Sequence, residues 1–406
     1  MSGTAKRKPK KPYPSFPLTA HPNGQWCKKI RGKVHFFGVW ADPDTAHQAY
    51  LASAADLQAG RLPAPSRLSP EGLPVKTVGN AFLNWQKAKM EAGDIGAAWY
   101  EDCRVIIRTF CKSMGYSRLV SDLRPDDFQS YCIRRAKDIG AHARTREIVT
   151  IRGMFKYAYE CGLIEHQMRF GTGFKTPSAS LKRKEKAEKE QLHGKRLFQR
   201  DDILTLLDGA ADWMKAAILL GINGGFGNTD CAKLPWIAVN LEAGVIEYNR
   251  PKTGIKRIVP LWPETVEALR QAYSNQPKPA NKAAQGLALL LPTGRPVVRE
   301  IITPAKKGKP ERISRLDILS REFTARLKEK QLHRQGIGFY TLRHTFRTWA
   351  DEARDQHAVH LIMGHVIPGM SGLYVEEISL DRLRAVAEHV RAKLYPGVAQ
   401  SPIKSS

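Results

Sequence analysis

The chain has 406 residues, with 65 Lys or Arg against 39 Asp or Glu, and its formal net charge of +26 excludes a neutral or acidic surface. Such an excess predicts a polyanionic partner, nucleic acid first, because Lys and Arg neutralise phosphates; a basic solvated surface is the alternative. The six scattered cysteines form no CxxC pair, and no run approaches the ~18 apolar residues of a membrane span. We therefore expect a cytoplasmic, nucleoid-associated protein of two or three domains without a metal site or a membrane role.

The first predicted domain, residues 1–62, combines a basic arm with a small sheet. Residues 1–12 are rich in Lys and Pro, and three strand-like runs follow, joined by the turn dipeptides Asn23-Gly24 and Arg31-Gly32. A helix with Asp42 as its N-cap is predicted next. A β-face of this kind can contact a DNA groove, although the pattern also fits a merely basic α+β module. The predicted DNA contacts are Lys28, Lys29, Arg31 and Lys33.

A Pro-rich linker over residues 63–74 leads into a predicted helical domain over residues 75–170. Apolar spacing indicates four amphipathic helices, and the last two carry many basic residues. This pattern is typical of a DNA-clamping bundle, but periodicity alone supports any helical bundle. The predicted helices are 75–92, 95–114, 125–139 and 141–161, and the predicted DNA contacts are Arg144, Arg152 and Lys156.

A basic linker over residues 171–196 precedes a mixed α/β domain over residues 197–396, and a tail over residues 397–406 follows. Within the mixed domain the sequence predicts helix and one hairpin. The predicted helices are 200–220, 314–331, 341–363 and 379–395, and the hairpin is 245–262.

Five residues of the mixed domain are informative as a set, although none of them is informative alone. Lys252 lies at the tip of the hairpin, Tyr340 precedes Arg343 by three residues on one helical face, and His365 precedes Tyr374 by nine. A lone turn lysine is usually solvated, and a lone buried histidine or tyrosine is usually core. In chain order, however, these residues supply a mobile ammonium, a guanidinium fork suited to phosphate, an imidazole and a phenol. Few proteins have this order of groups across about 125 residues.

These segments resemble the tyrosine recombinase (phage integrase) family, whose catalytic domain ends in a nucleophilic tyrosine. The resemblance implies a multidomain α+β fold: a three-stranded sheet with one helix, a SAM-like helical core-binding bundle, and a mainly α, mixed α/β catalytic domain. It also implies a site-specific recombinase of a mobile genetic element that acts on double-stranded DNA in recombination or integration. A homotetramer on DNA, and accessory directionality or DNA-bending proteins, are further implied.

The resemblance assigns a role to each matching residue. Tyr374 would attack the scissile phosphodiester and form a 3′-phosphotyrosyl bond, and Lys252 would protonate the departing 5′-oxygen. Arg343 would neutralise the non-bridging oxygens, and His365 would donate a hydrogen bond to the same phosphate. Because the phosphotyrosyl bond conserves the bond energy, neither ATP, metal nor any other cofactor is implied.

Two positions depart from the family pattern. The stretch GGFGNTDCAKL (224–234) matches the first box, but Gly227 stands where its arginine is expected; Tyr340 stands where the second box usually has histidine. Arg250 or Arg257 could supply a displaced cation, the enzyme could be slow or conditional, or the chain could bind DNA without cutting it. A type IB topoisomerase, which uses the same chemistry, is the other enzymatic alternative.

The predicted helix 379–395 has apolar residues at 380, 383, 386, 390 and 394. Such a stripe can pack on its own domain or dock on a neighbouring subunit, and the family resemblance favours the neighbour.

Overall fold

The structure is a computed structural model of the chain and describes residues 8–60, 72–250, 254–303, 312–366 and 378–397. Lys252 and Tyr374 lie outside the described residues. The chain divides into two compact units, Met1–Lys182 and Arg183–Ser406. Within the described part of the chain, no helix has the length and apolar character needed to cross a membrane.

The first unit begins with an antiparallel sheet in the order β1-β2-β3, packed on helix α1. Arg31 (φ 47°) and Gly32 (φ 83°) form the turn between β2 and β3, as a two-residue hairpin with positive φ at both positions requires. The Asp42 carboxylate caps α1 by accepting from the Thr45 amide at 3.0 Å. The bounds are β1 Thr19–His21, β2 Gln25–Ile30, β3 Lys33–Val39 and α1 Pro43–Gln58.

Four helices lie within the rest of the described part of this unit, close to their predicted bounds. An aromatic cluster fills the core, where Phe128 contacts Phe110, Phe155, Phe170 and Phe174 with ring centroids 5.0–6.0 Å apart. Phe174 is fully buried there although it falls in the predicted linker 171–196. The bounds are α2 Val75–Glu91, α3 Ala97–Met114, α4 Pro125–Asp138 and α5 Ala141–Glu160.

Helix α6, Ala179–His193, lies inside the predicted linker and spans the division between the two units. None of its residues is buried. Its composition explains the helix, because Lys and Glu are good helix formers and recur at i,i+4 spacing. A lack of apolar periodicity predicts an exposed segment, but it does not distinguish an exposed helix from an irregular linker.

The second unit combines eight helices of the described chain with two small sheets around one core. One sheet has the order β4-β5-β6, and the other is the hairpin β7-β8. The helix bounds are α7 Arg200–Leu207, α8 Asp212–Gly224, α9 Asn228–Ala232, α10 Pro263–Ser274, α11 Ile318–Glu329, α12 Tyr340–Asp351, α13 Gln356–Met363 and α14 Leu380–Leu394. The strand bounds are β4 Val239–Asn240, β5 Val245–Asn249, β6 Lys256–Pro260, β7 Val298–Thr303 and β8 Arg312–Asp317.

Three predicted helices of this unit were wrong in their bounds. The helix predicted over 200–220 is divided near Gly209 (φ 69°), and that over 341–363 is divided near Arg354 (φ 62°), since left-handed residues end a helix. The helix predicted from residue 314 begins at Ile318, because the preceding residues pair with β7 as strand β8. Helix α10 and the β7-β8 hairpin were not predicted.

Helix α14 packs on its own domain in this structure. Leu383, Val386, Val390 and Leu394 are buried in the core of the second unit. The buried Arg391 forms an ion pair with Glu264 at 2.8 Å. The apolar stripe, which the family resemblance favoured as a docking face for a neighbour, is therefore occupied within the chain.

The aromatic cluster yields a stability prediction. Phe128→Ala should lower the opening free energy of helix α5 by about 3–5 kcal/mol, because it leaves a cavity among four rings. Amide hydrogen exchange of α5 in the full chain measures this. The control Trp99→Ala removes a ring that is 38% exposed and should cost under about 1 kcal/mol. Equal losses in the two variants would refute the predicted importance of the cluster.

Candidate active site

The first-box loop begins where helix α8 ends. Gly225 continues the chain in the left-handed region (φ 63°), and Gly227 then takes the N-cap position of α9 in an extended conformation. The Asp230 carboxylate, three residues on, accepts from the Gly227 amide at 2.9 Å through Oδ2. This short helix therefore fixes a buried carboxylate beside the position where the family's arginine is expected.

Three arginines surround the Asp230 carboxylate. Arg250 Nε lies 3.2 Å from Oδ1, and Arg257 and Arg343 each place a guanidinium nitrogen 3.6 Å from Oδ2. All four side chains are buried. One carboxylate balances only one of the three positive charges, so the cluster has an excess charge that suits an anion.

Arg343 holds together two helix ends and the candidate histidine. Its Nη1 donates to the carbonyl of Gly225, and its Nη2 donates to the carbonyl of Met363 at 3.1 Å and to His365 Nε2 at 2.6 Å. Burial first, and then the charges of Arg257 and Arg250, lower the pKa of Arg343 to about 10. The guanidinium still carries its charge near neutral pH.

Arg257, from strand β6, is fully buried and belongs to the scaffold. Its Nε donates to the Ile362 carbonyl at 2.7 Å, its Nη2 donates to the Gly224 carbonyl, and its guanidinium lies 3.7 Å from the centre of the Phe226 ring. Burial lowers its pKa. These contacts join the ends of α8 and α13 next to the loop that carries Asp230.

Arg250 follows strand β5 and crosses the end of helix α13. A Cβ at Gly364 would lie 2.9 Å from Arg250 Cδ, so a glycine at this position lets the arginine chain pass. The backbone of Arg250 pairs with Ile255 and Gly254 at the base of the hairpin. The hairpin therefore delivers this side chain to Asp230, next to His365.

His365 is neutral in this arrangement. Because a guanidinium can only donate, its Nε2 must accept from Arg343, which places the ring proton on Nδ1. Burial, and then the charges of Arg343 and Arg250, lower its pKa to about 4. An anion in the cluster would oppose the effect of these charges.

Tyr340 lies directly against Gly227. A Cβ at residue 227 would be 3.2 Å from Tyr340 Cε2 and 3.3 Å from Cδ2. The ring is half exposed and packs edge-on against His344. The two positions that depart from the family pattern are therefore neighbours in space.

The predicted DNA contacts of the arm differ in their surroundings. Lys28 is half-buried; its Nζ donates to the Tyr50 hydroxyl at 2.8 Å and lies over the Tyr50 ring. Lys29, Arg31 and Lys33 are exposed. Thus Lys28 supports the packing of the sheet on α1, whereas the other three cations face solvent.

Of the residues predicted to contact DNA in the helical bundle, Arg152 and Lys156 have partners within the chain. Arg152 donates to the Phe174 carbonyl at 2.6 Å and its guanidinium lies 4.5 Å from the Phe170 ring centre. Lys156 forms an exposed ion pair with Glu160, and Arg144 is half-buried. Their roles toward DNA stay predictions.

Sequence reasoning missed the central place of Asp230. It used this residue only to align the first box, and it named Arg250 and Arg257 without choosing between them. The signal for Asp230 was its position three residues after Gly227, where a carboxylate caps the start of a short helix. Nothing local indicated that two hairpin arginines meet this carboxylate.

Comparisons with known proteins agree with this architecture. The phage integrase family matches residues 196–378. A lambda integrase dimer bound to a COC' core site has a TM-score of 0.53 at 14% identity, covering 92% of this chain and 99% of that one. An integrase of the Tn1549 transposon, in complex with transposon right end DNA, has a TM-score of 0.51 at 15% identity, covering 79% and 100%. Comparison with curated protein sequences gives no match.

The fold is that of the DNA integrases. The family match covers residues 196–378, and together with the integrase fold it supports a tyrosine recombinase.

The carboxylate at the centre of the cluster gives a stability prediction. Asp230→Asn should destabilise the second unit by about 3–5 kcal/mol, because it leaves three buried guanidinium groups without a counter-charge. Urea unfolding of the full chain measures the loss, and sulfate should restore more stability than chloride at equal ionic strength. Asp201→Asn, at an exposed ion pair, is the matched control. If Asp230→Asn unfolds at the same urea concentration as the wild type, Asp230 does not balance the charge of the arginines.

The low pKa of His365 gives a pH prediction. The unfolded chain binds a proton near pH 6.5 and the folded chain only near pH 4, so this residue makes stability fall as the pH drops across that window. In histidine-labelled protein, the NMR resonance lost in His365→Asn should titrate near pH 4, and inorganic phosphate should raise its midpoint. A midpoint near 6.5, unaffected by phosphate, would contradict the described site.

Proposed function

We propose that this chain is a site-specific DNA recombinase that cuts and rejoins DNA through a 3′-phosphotyrosyl intermediate on Tyr374. The observation that carries the proposal is the buried cluster of three arginines on one carboxylate, with His365 at its edge. A buried excess of guanidinium charge is suited to a phosphodiester, which accepts charge-assisted hydrogen bonds.

Arg343 would stabilise the charge that grows on the non-bridging oxygens in the transition state. It already donates to two backbone carbonyls, so its orientation is fixed before DNA arrives. Such preorganised donors cost little reorganisation during the reaction. His365 accepts at Nε2 in the described state, so it would donate to the same phosphate through Nε2 only after it leaves Arg343 and takes up a proton on that nitrogen. The negative charge of the phosphate favours that protonated form.

Tyr374 and Lys252 would complete the reaction. The Tyr374 phenol loses its proton to solvent as its oxygen forms a bond to phosphorus, the bond from phosphorus to the 5′-oxygen breaks, and Lys252 protonates that oxygen. The reverse attack by a 5′-hydroxyl rejoins the strand. The roles of these two residues rest on the family resemblance.

We propose double-stranded DNA as the partner and a homotetramer as the active assembly. Lambda integrase, which shares this fold, has been described as a dimer on a core site and as a tetramer on a Holliday junction. In the arm, the exposed Lys29, Arg31 and Lys33 would contact DNA, and accessory directionality or DNA-bending proteins would assist.

A DNA-binding protein that does not cut is the second candidate. Gly227 favours it, because the absence of one such donor typically costs ~10²–10³ in rate. The buried state of Arg343 and its bond to His365 favour the enzyme, since a protein that only binds DNA needs no buried phosphate site. A type IB topoisomerase would relax supercoils without strand exchange, and the arm domain makes this alternative weaker.

Covalent trapping tests the proposal. Duplexes bound by the Tyr374→Phe variant are selected from a random pool, and nicked forms with breaks at successive positions are incubated with wild-type protein without metal or ATP. We expect an SDS-stable adduct, because loss of the short strand beyond the nick prevents religation. The adduct should be absent with Tyr374→Phe, which retains DNA affinity.

Bound DNA without an adduct at any nick position, across about pH 6–9, a window that includes the ordinary histidine pKa, would favour the non-cutting protein. An adduct that persists in Tyr374→Phe would refute the assignment of the nucleophile.

A further inference from the structure

We propose that Arg250 serves as the missing first arginine and contacts the scissile phosphate together with Arg343. This inference rests on the proposed function. It makes the residue that follows strand β5, rather than the loop after helix α8, the source of the second phosphate-binding guanidinium.

The position of Arg250 relative to Gly227 is the first observation. Both residues bind the same carboxylate: the Gly227 amide donates to Asp230 Oδ2 at 2.9 Å, and Arg250 Nε lies 3.2 Å from Oδ1. The two oxygens of one carboxylate are about 2.2 Å apart by covalent geometry. The Arg250 guanidinium therefore lies close to the position where an arginine is absent.

The surroundings of Arg250 are the second observation. Its side chain passes over Gly364, the residue before His365. Its charge also contributes to the lowered pKa of both Arg343 and His365, after the larger effects of burial and of one other arginine in each case. Arg250 is thus within electrostatic reach of both groups proposed to bind the phosphate.

Arg257 does not fit the role. Two of its guanidinium nitrogens donate to carbonyls at the ends of α8 and α13, and its plane lies on the Phe226 ring. Its Nη1 has no hydrogen-bond partner among the described residues, but that atom is buried, so Arg257 could reach a phosphate only by leaving a fully buried position. Arg250 is 7% exposed, has its Nε on Asp230 and needs no such rearrangement.

The contact between Gly227 and Tyr340 is the third observation. The Tyr340 ring covers the side of Gly227 from which a side chain would extend, at 3.2 Å from the missing Cβ. A side chain at 227 would require this ring to shift by a few tenths of an ångström. The site as it stands therefore has no side chain at 227, and its guanidinium groups come from other elements.

The trapping assay tests this inference with variants of Arg250. Arg250→Ala should lower the rate of adduct formation by about 10²–10³-fold with DNA affinity unchanged. Arg250→Lys keeps the charge but loses the planar fork, and should lower the rate at least about tenfold. Arg270→Ala, which removes an exposed arginine of α10, is the matched control and should react like wild type.

Folding and function are kept separate by two further measurements. If Arg250→Ala melts at a lower temperature than the wild type, its rate is set aside, and the rate of Arg250→Lys alone tests the role of Arg250. In the Arg250→Ala background, the added pair Gly227→Arg and Tyr340→His should recover at least about tenfold of the lost rate, by restoring a donor in the family's position.

The outcomes distinguish the two proposals. A Tyr374-dependent adduct that forms at the wild-type rate in folded Arg250→Ala or Arg250→Lys would overturn the role of Arg250 and leave the recombinase standing. No adduct from the wild-type chain would overturn both.

Discussion

The ionic contact between the Asp230 carboxylate and its three arginines is the constraint on which the second unit depends. This carboxylate caps helix α9 through the Gly227 amide and meets side chains from β5, β6 and α12. The arginines in turn bind the ends of α8 and α13. One carboxylate therefore fixes the relative positions of six elements around the site.

Such a cluster is costly to bury, because each ion loses its hydration and the arginines repel one another. The cost is offset by hydrogen bonds to backbone carbonyls that would otherwise end two helices without partners. A cluster of this composition is better explained by ligand binding than by stability, since apolar side chains of similar volume would fill the space at lower cost. Preorganisation for an anion is the benefit that apolar side chains cannot supply.

Much of the fold could be predicted from sequence. The four helices of the bundle and the arm hairpin follow from apolar spacing and from turn residues such as Arg31-Gly32, which act locally. The β7-β8 hairpin could not be predicted, because its pairing joins residues on either side of a basic segment without alternation. The proximity of Arg343 and His365 was predicted, because their order along the chain resembles that of a family in which both bind one phosphate. The meeting of Arg250 with Asp230 could not be predicted, since it depends on a hairpin crossing Gly364 in three dimensions.

The two helices that end at the site also affect its selectivity. Helices α8 and α13 both terminate at a left-handed glycine, Gly225 and Gly364, and the carbonyls at these ends face the arginines. A helix C-terminus acts as about half a negative charge, so the two ends together offset about one of the two uncompensated positive charges. About one positive charge remains. A phosphodiester within a strand carries one negative charge, whereas a terminal phosphomonoester carries nearly two at neutral pH. The charge of the cluster is therefore matched to a phosphodiester rather than to a terminal phosphomonoester.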